Sequence, residues 1–328
     1  MKKVAPVLRA ILAAASLLTL PAAWAQTTAW PERPVKLINP FPAGGASDTL
    51  TRIMADELQK RLGQSFVVEN RTGASGNIGM EAGAKAPPDG YTIMSATIGT
   101  LSINQHLYLQ RMPYDPEPMT HVSTFWANCN VVMVPSQHNP SRTLGEFLTW
   151  AKAQPKGLTY GSSGVGTTPH LAGELFHLRT GIRTTHVPTR GGPQTVALLL
   201  AGNIDFVIDN IASYAGFLTS GQVRPLAVTC PERWPNLPEV PTMTEAGMPD
   251  FVILSWGAMV APAGTPPAIA EKMSRAMADV AADPAVQKRF LSAGARLTSS
   301  TPAETAAFVV RERKRWGEVV RLSGTKID

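Results

Sequence analysis

Short runs rich in β-branched and aromatic residues alternate with helical patterns along nearly the whole chain, and glycine-rich turns join several strands to the helices that follow. That alternation confines the chain to α/β architectures with parallel sheet. Val35-Lys36-Leu37-Ile38-Asn39 reads as a strand, followed by the turn FPAGGASD and a helix from about Asp48 to Leu62. Leu50, Ile53, Met54, Leu58 and Leu62 fall at helical spacing before Gly63 ends it. Phe66-Val67-Val68 gives the next strand, RTGASGNIG a glycine-rich loop into a short helix, PPDG a turn, and Tyr91 to Met94 a further strand.

From Asn130 the pattern restarts. A strand at Val131 to Val134, a helix at Leu144 to Ala153 and a strand at Leu158-Thr159-Tyr160 lead into a second loop, GSSGVGTTPH, and a helix at Pro169 to Leu178. A strand at Thr185-His186-Val187, a helix at Pro193 to Leu200 and strands at Ile204 to Ile208 and Val223 to Thr229 complete this block. A proline-rich segment then runs to a strand at Phe251 to Val260, and helices at 267–282, 284–293 and 302–322 close the chain. In open α/β sheets such strand-to-helix loops lie at the carboxyl ends of strands, where ligands bind. Two facing domains with both loops on the cleft would hold a small ligand between helix N-termini.

The first 25 residues stand apart. Lys2, Lys3 and Arg9 precede an apolar run from Ala10 to Leu20 and the small-residue site Ala23-Trp24-Ala25, the anatomy of a secretory signal cleaved near Ala25. The run is too short to span a bilayer, and no Cys follows it to take a lipid anchor. Without this segment the formal charge falls from +6 to +3, with 27 basic residues against 24 acidic. Nucleic-acid binding thereby loses its compositional support. The 27 Gly and 28 Pro make up about one residue in six, short of the roughly 25–30% that marks disorder. Cys129 and Cys230 lack metal-type spacing. A disulfide is allowed in an oxidising compartment, with two buried free thiols the preferred reading.

The loops suit an anion. Gly44 and Gly45 permit close backbone approach, Ser47 or Asp48 would cap the helix, and free helix N–H groups attract negative charge without Lys or Arg. GSSGVGTT adds Ser162, Ser163, Thr167 and Thr168, with Pro169 suited to the first helical position. No Walker lysine follows it, G-x-G-x-x-G is absent, and G-x-S-x-G is absent. His170, Glu174 and His177 share a helix face, with packing preferred over a metal site. Binding is a better inference than catalysis, and no cofactor is expected.

These residues, in this order, resemble the receptors of tripartite tricarboxylate transporters, the Bug receptor family, through WPERPVKLINPFPAGGASD, GQSFVVENRTGASGNIG, PPDGYTIM, GSSGVGTTPHLAGELF, THVPTRGGP, RPLAVT, LPEVPTMTEAG and APAGTP. The resemblance implies a two-lobed periplasmic binding protein type II fold with an interlobe cleft. Lobe one would comprise 26–127 plus 254–328, and lobe two 128–253. It also implies ligand contacts from Phe41, Pro42, Ala43, Gly44, Gly45 and Asp48 in the first loop, and from Ser162, Gly164, Gly166, Thr167 and Thr168 in the second. Ser95, Thr97 and Thr100, His186 and Asp209 would face the same cleft. Where the family pattern reads HVPYKG, this chain reads His186-Val187-Pro188-Thr189-Arg190-Gly191. Thr189 in place of an aromatic residue would open volume, and Arg190 or Gln194 would meet the far end of a longer dicarboxylate or an aromatic acid. Phe125, Trp126 and Trp256 are candidate walls, with core packing preferred for each. The expected partners are a small organic carboxylate and the membrane permease subunits of such a transporter, for a receptor that is a monomer. An exported hydrolase using a Gly/Ser loop, or a carboxylate receptor feeding a signalling partner, are the alternatives.

Overall fold

A computed structural model describes residues 30–323; the signal segment lies outside them. Strand β1 (Val35–Asn39) leads into helix α1 (Ala46–Leu62), then β2 (Phe66–Asn70), α2 (Asn77–Ala84) and β3 (Thr92–Thr97). β2 and β3 flank β1 in parallel, as two βαβ units require. Leu50, Met54 and Leu58 of α1 are fully buried against this sheet, and Gly63 ends the helix in the left-handed conformation. A π-helical turn at Gly99–Ile103 and helix α3 (Asn104–Tyr108) precede β4 (Thr120–Pro135).

β4 is 16 residues long and serves two sheets. Its first part, through Cys129, pairs antiparallel with β9 (Leu254–Ala261), which in turn lies antiparallel to β3. The two-residue β10 (Arg296–Leu297) pairs with β4 at Ala127 and Trp126. From Asn130 onward β4 pairs instead with β7 (Phe206–Asn210) and β8 (Val223–Val228). The second half is completed by α4 (Leu144–Lys152), β5 (Leu158–Ser162), α5 (Thr168–Thr180), β6 (Thr184–Pro188), α6 (Gly192–Leu200) and α7 (Ile211–Thr219). Here β5 lies parallel between β7 and β6. Helices α8 (Pro267–Ala281), α9 (Pro284–Ser292) and α10 (Pro302–Ser323) close the chain. Met273 and Met277 of α8 and Phe290 of α9 pack in one core with Leu50 and Leu58, so these helices belong to the first half. Among the described residues no helix is long and apolar enough to cross a membrane.

Several elements differ from the sequence expectation: β4 begins at Thr120, well before Val131, and α3 and β10 have no counterpart in it. The strand expected at Ile204 to Ile208 runs from Phe206 to Asn210, the last expected strand starts at Leu254, and α7 follows β7 without a turn. The cysteines also differ: Cys129 and Cys230 form a disulfide, not two free thiols, with their Cα atoms 5.3 Å apart. The register explains the pairing. Val131 stands opposite Val228, the Thr229 amide donates to the Asn130 carbonyl and the Asn130 amide to the Thr229 hydroxyl, so the antiparallel course carries the next pair, Cys129 and Cys230, face to face. A bridge spanning 101 residues restricts the unfolded chain strongly. Reduction, or the double substitution C129S/C230S, is expected to lower stability by about 2–5 kcal/mol, read as a lower urea midpoint.

Candidate functional site

Four helices begin at one cleft between the two halves. Gly45, Ala46 and Ser47 present the start of α1; Thr167, Thr168 and Pro169 that of α5; Gly192 that of α6; Asn210 and Ser213 that of α7. None of the four has a side-chain cap at its N-terminus, so first-turn amides are open to a ligand. Local contacts explain why. Gly45 at the α1 N-cap has no side chain, Thr167 Oγ1 donates to the Gly164 carbonyl (2.7 Å), and the Asn210 side-chain amide donates to Asp209 (3.3 Å). The sequence-based capping by Ser47 or Asp48 is therefore corrected. Ser47 Oγ donates to Asn39 Oδ1, and the Asp48 carboxylate accepts from the Gly44 amide, Asn70 Nδ2 and Arg52, bracing the loop. Burial pushes the Asp48 carboxyl up, but these hydrogen bonds, Arg52 foremost, outweigh burial and hold it below its ordinary value.

The cleft encloses about 540 Å³ of empty space, its open mouth included. Thr97, Ser163 and Ser255 add hydroxyls to the walls, and Phe41, Pro42, Ile98 and Trp126 add apolar surface. Among the described residues no Asp, Glu, Lys, Arg or His lines it. An anion held there would meet dipoles and hydroxyls instead of a formal countercharge.

Of the residues expected at the site, Phe41, Pro42, Gly45, Thr97, Thr167 and Thr168 line this cleft. Ala43 and Gly44 lie exposed on the first loop. Ser95 is fully buried behind the wall against Thr51 (2.7 Å), and Thr100 accepts the Thr97 amide. The Gly166 amide donates to His170 Nδ1 (3.2 Å). Ser162 Oγ and His186 Nε2 lie 2.6 Å apart outside the cleft wall, and the imidazole stacks between Tyr160 and His170. Burial, reinforced by His170, pushes the His186 pKa down to about 3, so the ring is neutral. His170, Glu174 and His177 bond to separate groups, the Gly166 amide, the Tyr160 hydroxyl and the Ile182 carbonyl. Phe125 is core, and Trp256 donates to Glu312.

Gly164, Thr189 and Arg190 line an adjoining outer groove of about 740 Å³ that shares Phe41 and Ser163 with the cleft. Thr189 Oγ1 is tied to the Ser162 carbonyl, and Gln194 accepts the Arg190 backbone amide, so Gln194 shapes this loop. The loop meets the first half directly. Gly191 has φ +147°, and a methyl group there would stand 2.6 Å from the Pro42 ring; at Gly164 it would stand 2.8 Å from Ser75 Oγ. These glycines admit the opposite half of the molecule.

Ser163, one of the second loop's expected hydroxyls, also lines the cleft, whereas Gly192, Asn210, Ser213 and Ser255 have no place in the sequence expectation; the signal for two of them is the helical spacing of Ile211, Tyr214 and Leu218 after Asn210. Asp209 sits behind them, fully buried, accepting from the Asn210 amide (2.7 Å), the Asn210 side chain and the Tyr214 hydroxyl (3.3 Å). Burial pushes its pKa up to about 6 despite those bonds. Between pH about 4 and 6 the folded carboxyl keeps a proton that the unfolded chain releases, so its contribution to stability falls as pH rises through that window. The gap from the ordinary 3.8 corresponds to about 3 kcal/mol. Asp209→Asn is expected to melt higher than the wild type at pH 7.5, with the advantage fading towards pH 4 in parallel thermal scans.

Comparison with known proteins gives a consistent result. The family model described as Tripartite tricarboxylate transporter family receptor matches residues 50–324. Protein BugT of Bordetella pertussis is 36% identical over 300 residues, covering 91% of each chain. Among solved structures, R. palustris Rpa4515 with adipate superposes with a TM-score of 0.87 at 36% identity, covering 90% of this chain and 98% of that one. MatC from Rhodopseudomonas palustris with bound malate gives 0.82 at 29% identity, covering 89% of this chain and 100% of that one. The fold is accordingly the two-lobed periplasmic binding protein type II fold with a cleft between the lobes.

Proposed function

The chain belongs to the tripartite tricarboxylate transporter receptor family, and on that premise we propose that it captures a small organic carboxylate in the interlobe cleft, in the periplasm, and delivers it to the membrane permease subunits of such a transporter. The convergence of four uncapped helix starts on a cleft without charged side chains carries this reading. A carboxylate presents only acceptors, and the helix amides supply fixed donors. Of the described residues, 30–127 with 254–323 make up lobe one and 128–253 lobe two, an assignment supported by the change of β4 partners after Cys129. The receptor acts as a monomer, with its first 25 residues removed on export, and closes by swinging the lobes about β4 and β9.

A di- or aromatic carboxylate is favoured. The outer groove continues from the cleft past Phe41 and Ser163, and Arg190 stands there exposed, with no ion pair among the described residues. A second carboxylate or a ring reaching this groove would meet the guanidinium. The relatives with bound adipate and malate support a carboxylate ligand for this chain too.

The Ser162 and His186 contact is the feature a hydrolase reading would use. Ser162 has no exposed surface and lies outside the cleft lining, and an imidazole with a pKa near 3 is a weak general base. Receptor binding is the better account of the same loop.

Thermal-shift and calorimetric titration of aliphatic and aromatic mono- and dicarboxylates at pH 7 tests the proposal. A dicarboxylate or aromatic acid is expected to raise the melting temperature by mass action, and binding of sugars or amines with no acid bound would refute it. Arg190→Met should weaken dicarboxylates roughly tenfold more than monocarboxylates.

A further inference from the structure

Hydroxyls in the cleft can turn to donate or accept, so the groups with a fixed role decide what a ligand must bring. Two such side-chain atoms are buried and unpartnered. Trp126, 2% exposed, lines the cleft with its indole Nε1–H unbonded. Its ring lies across Gly257, where any side chain would overlap it. Asn210 also lines the cleft, and its side-chain Oδ1 is buried without a donor. The orientation of that amide has a chemical cause: Nδ2 faces the Asp209 carboxylate, which only accepts while ionised, and this turns Oδ1 away from it.

A plain carboxylate satisfies the indole and the helix amides but leaves Asn210 Oδ1 empty, because it has no hydrogen to give. We propose that the cleft selects hydroxycarboxylates, acids whose hydroxyl donates to Asn210 Oδ1 while the carboxylate accepts from Trp126 Nε1–H and the helix starts. An ammonium group is the charged alternative. Among the described residues no Asp or Glu lines the cleft to accept from it directly, and burying a cation with its donors unmet is costly, which favours a neutral hydroxyl. Asp209 then acts as a positioning residue, holding Asn210 without touching the ligand. This inference rests on the carboxylate reading and narrows it.

Matched acids that differ by one group separate the two claims. Calorimetry at pH 7 with malate against succinate, lactate against propionate and mandelate against phenylacetate is expected to show the hydroxy acid at least tenfold tighter in each pair that binds, since an unpaired buried acceptor penalises the analogue lacking the donor. Asn210→Leu should erase that preference, whereas Trp126→Phe should weaken both members of a pair alike. Equal affinities within every binding pair, or aspartate tighter than malate, overturn the hydroxycarboxylate proposal and leave the carboxylate receptor standing. Failure of every acid to bind overturns both. The wild-type ratios decide the matter even where a variant does not fold.

Discussion

Strand β4 must keep its backbone groups paired along 16 residues while it leaves one sheet and enters another. It does so by exchanging partners, from β9 and β10 to β7 and β8, with register shifts near Val122, Phe125 and Met133 along the way. Because the strand is continuous, the two sheets share one mechanical member. The carboxyl ends of β1 and β3 on one side, and of β5, β6 and β7 on the other, then open towards the same space. The cleft and its ring of helix starts are consequences of that shared strand.

A site of this kind recognises charge without carrying any. Formal cations in a cleft attract every anion over a range set by screening, whereas amides and hydroxyls act at hydrogen-bond distance and in fixed directions. Cations are kept at the rim, where Arg190 stands exposed in the outer groove. The interior is left to shape and to the count of donors and acceptors. Of the two acids buried behind the wall, Asp48 is matched by Arg52, and burial keeps the proton affinity of Asp209 high enough to limit its charge below neutral pH.

Much of this was legible in the residues. The period of Leu50, Met54 and Leu58, the stop at Gly63 and the two glycine-rich turns placed α1, α5 and the loops between strand and helix correctly. What escaped had no local signal. Asn210 ends a strand and stands immediately before a helix, so no turn announces α7, and Asp209, singled out by family resemblance, lies one residue behind the group that reaches the cleft. Trp126 belongs to the part of β4 before Asn130 that was not read as strand. Gly164 and Gly191 were conspicuous, yet their purpose depends on Ser75 and Pro42, more than 80 residues away in sequence. The cysteines had the same difficulty, since their pairing follows from a register between strands 101 residues apart.

The position of that disulfide matters for how the proposed closing motion is geared. Cys129 is the last β4 residue paired with β9, and the bridge fastens it to the segment leaving β8. The bridge ties the part of β4 after Cys129 to the chain leaving β8, and in the proposed motion bending falls to the stretch of β4 before it and to the start of β9. A short flexure joined to long rigid arms is a lever: a small rotation at Asn128 and Leu254 becomes a displacement of the loop carrying Gly191 against Pro42. In that proposed motion the covalent staple passes a turn at the pivot on to the jaw tips, with less of it lost to bending beside the pivot.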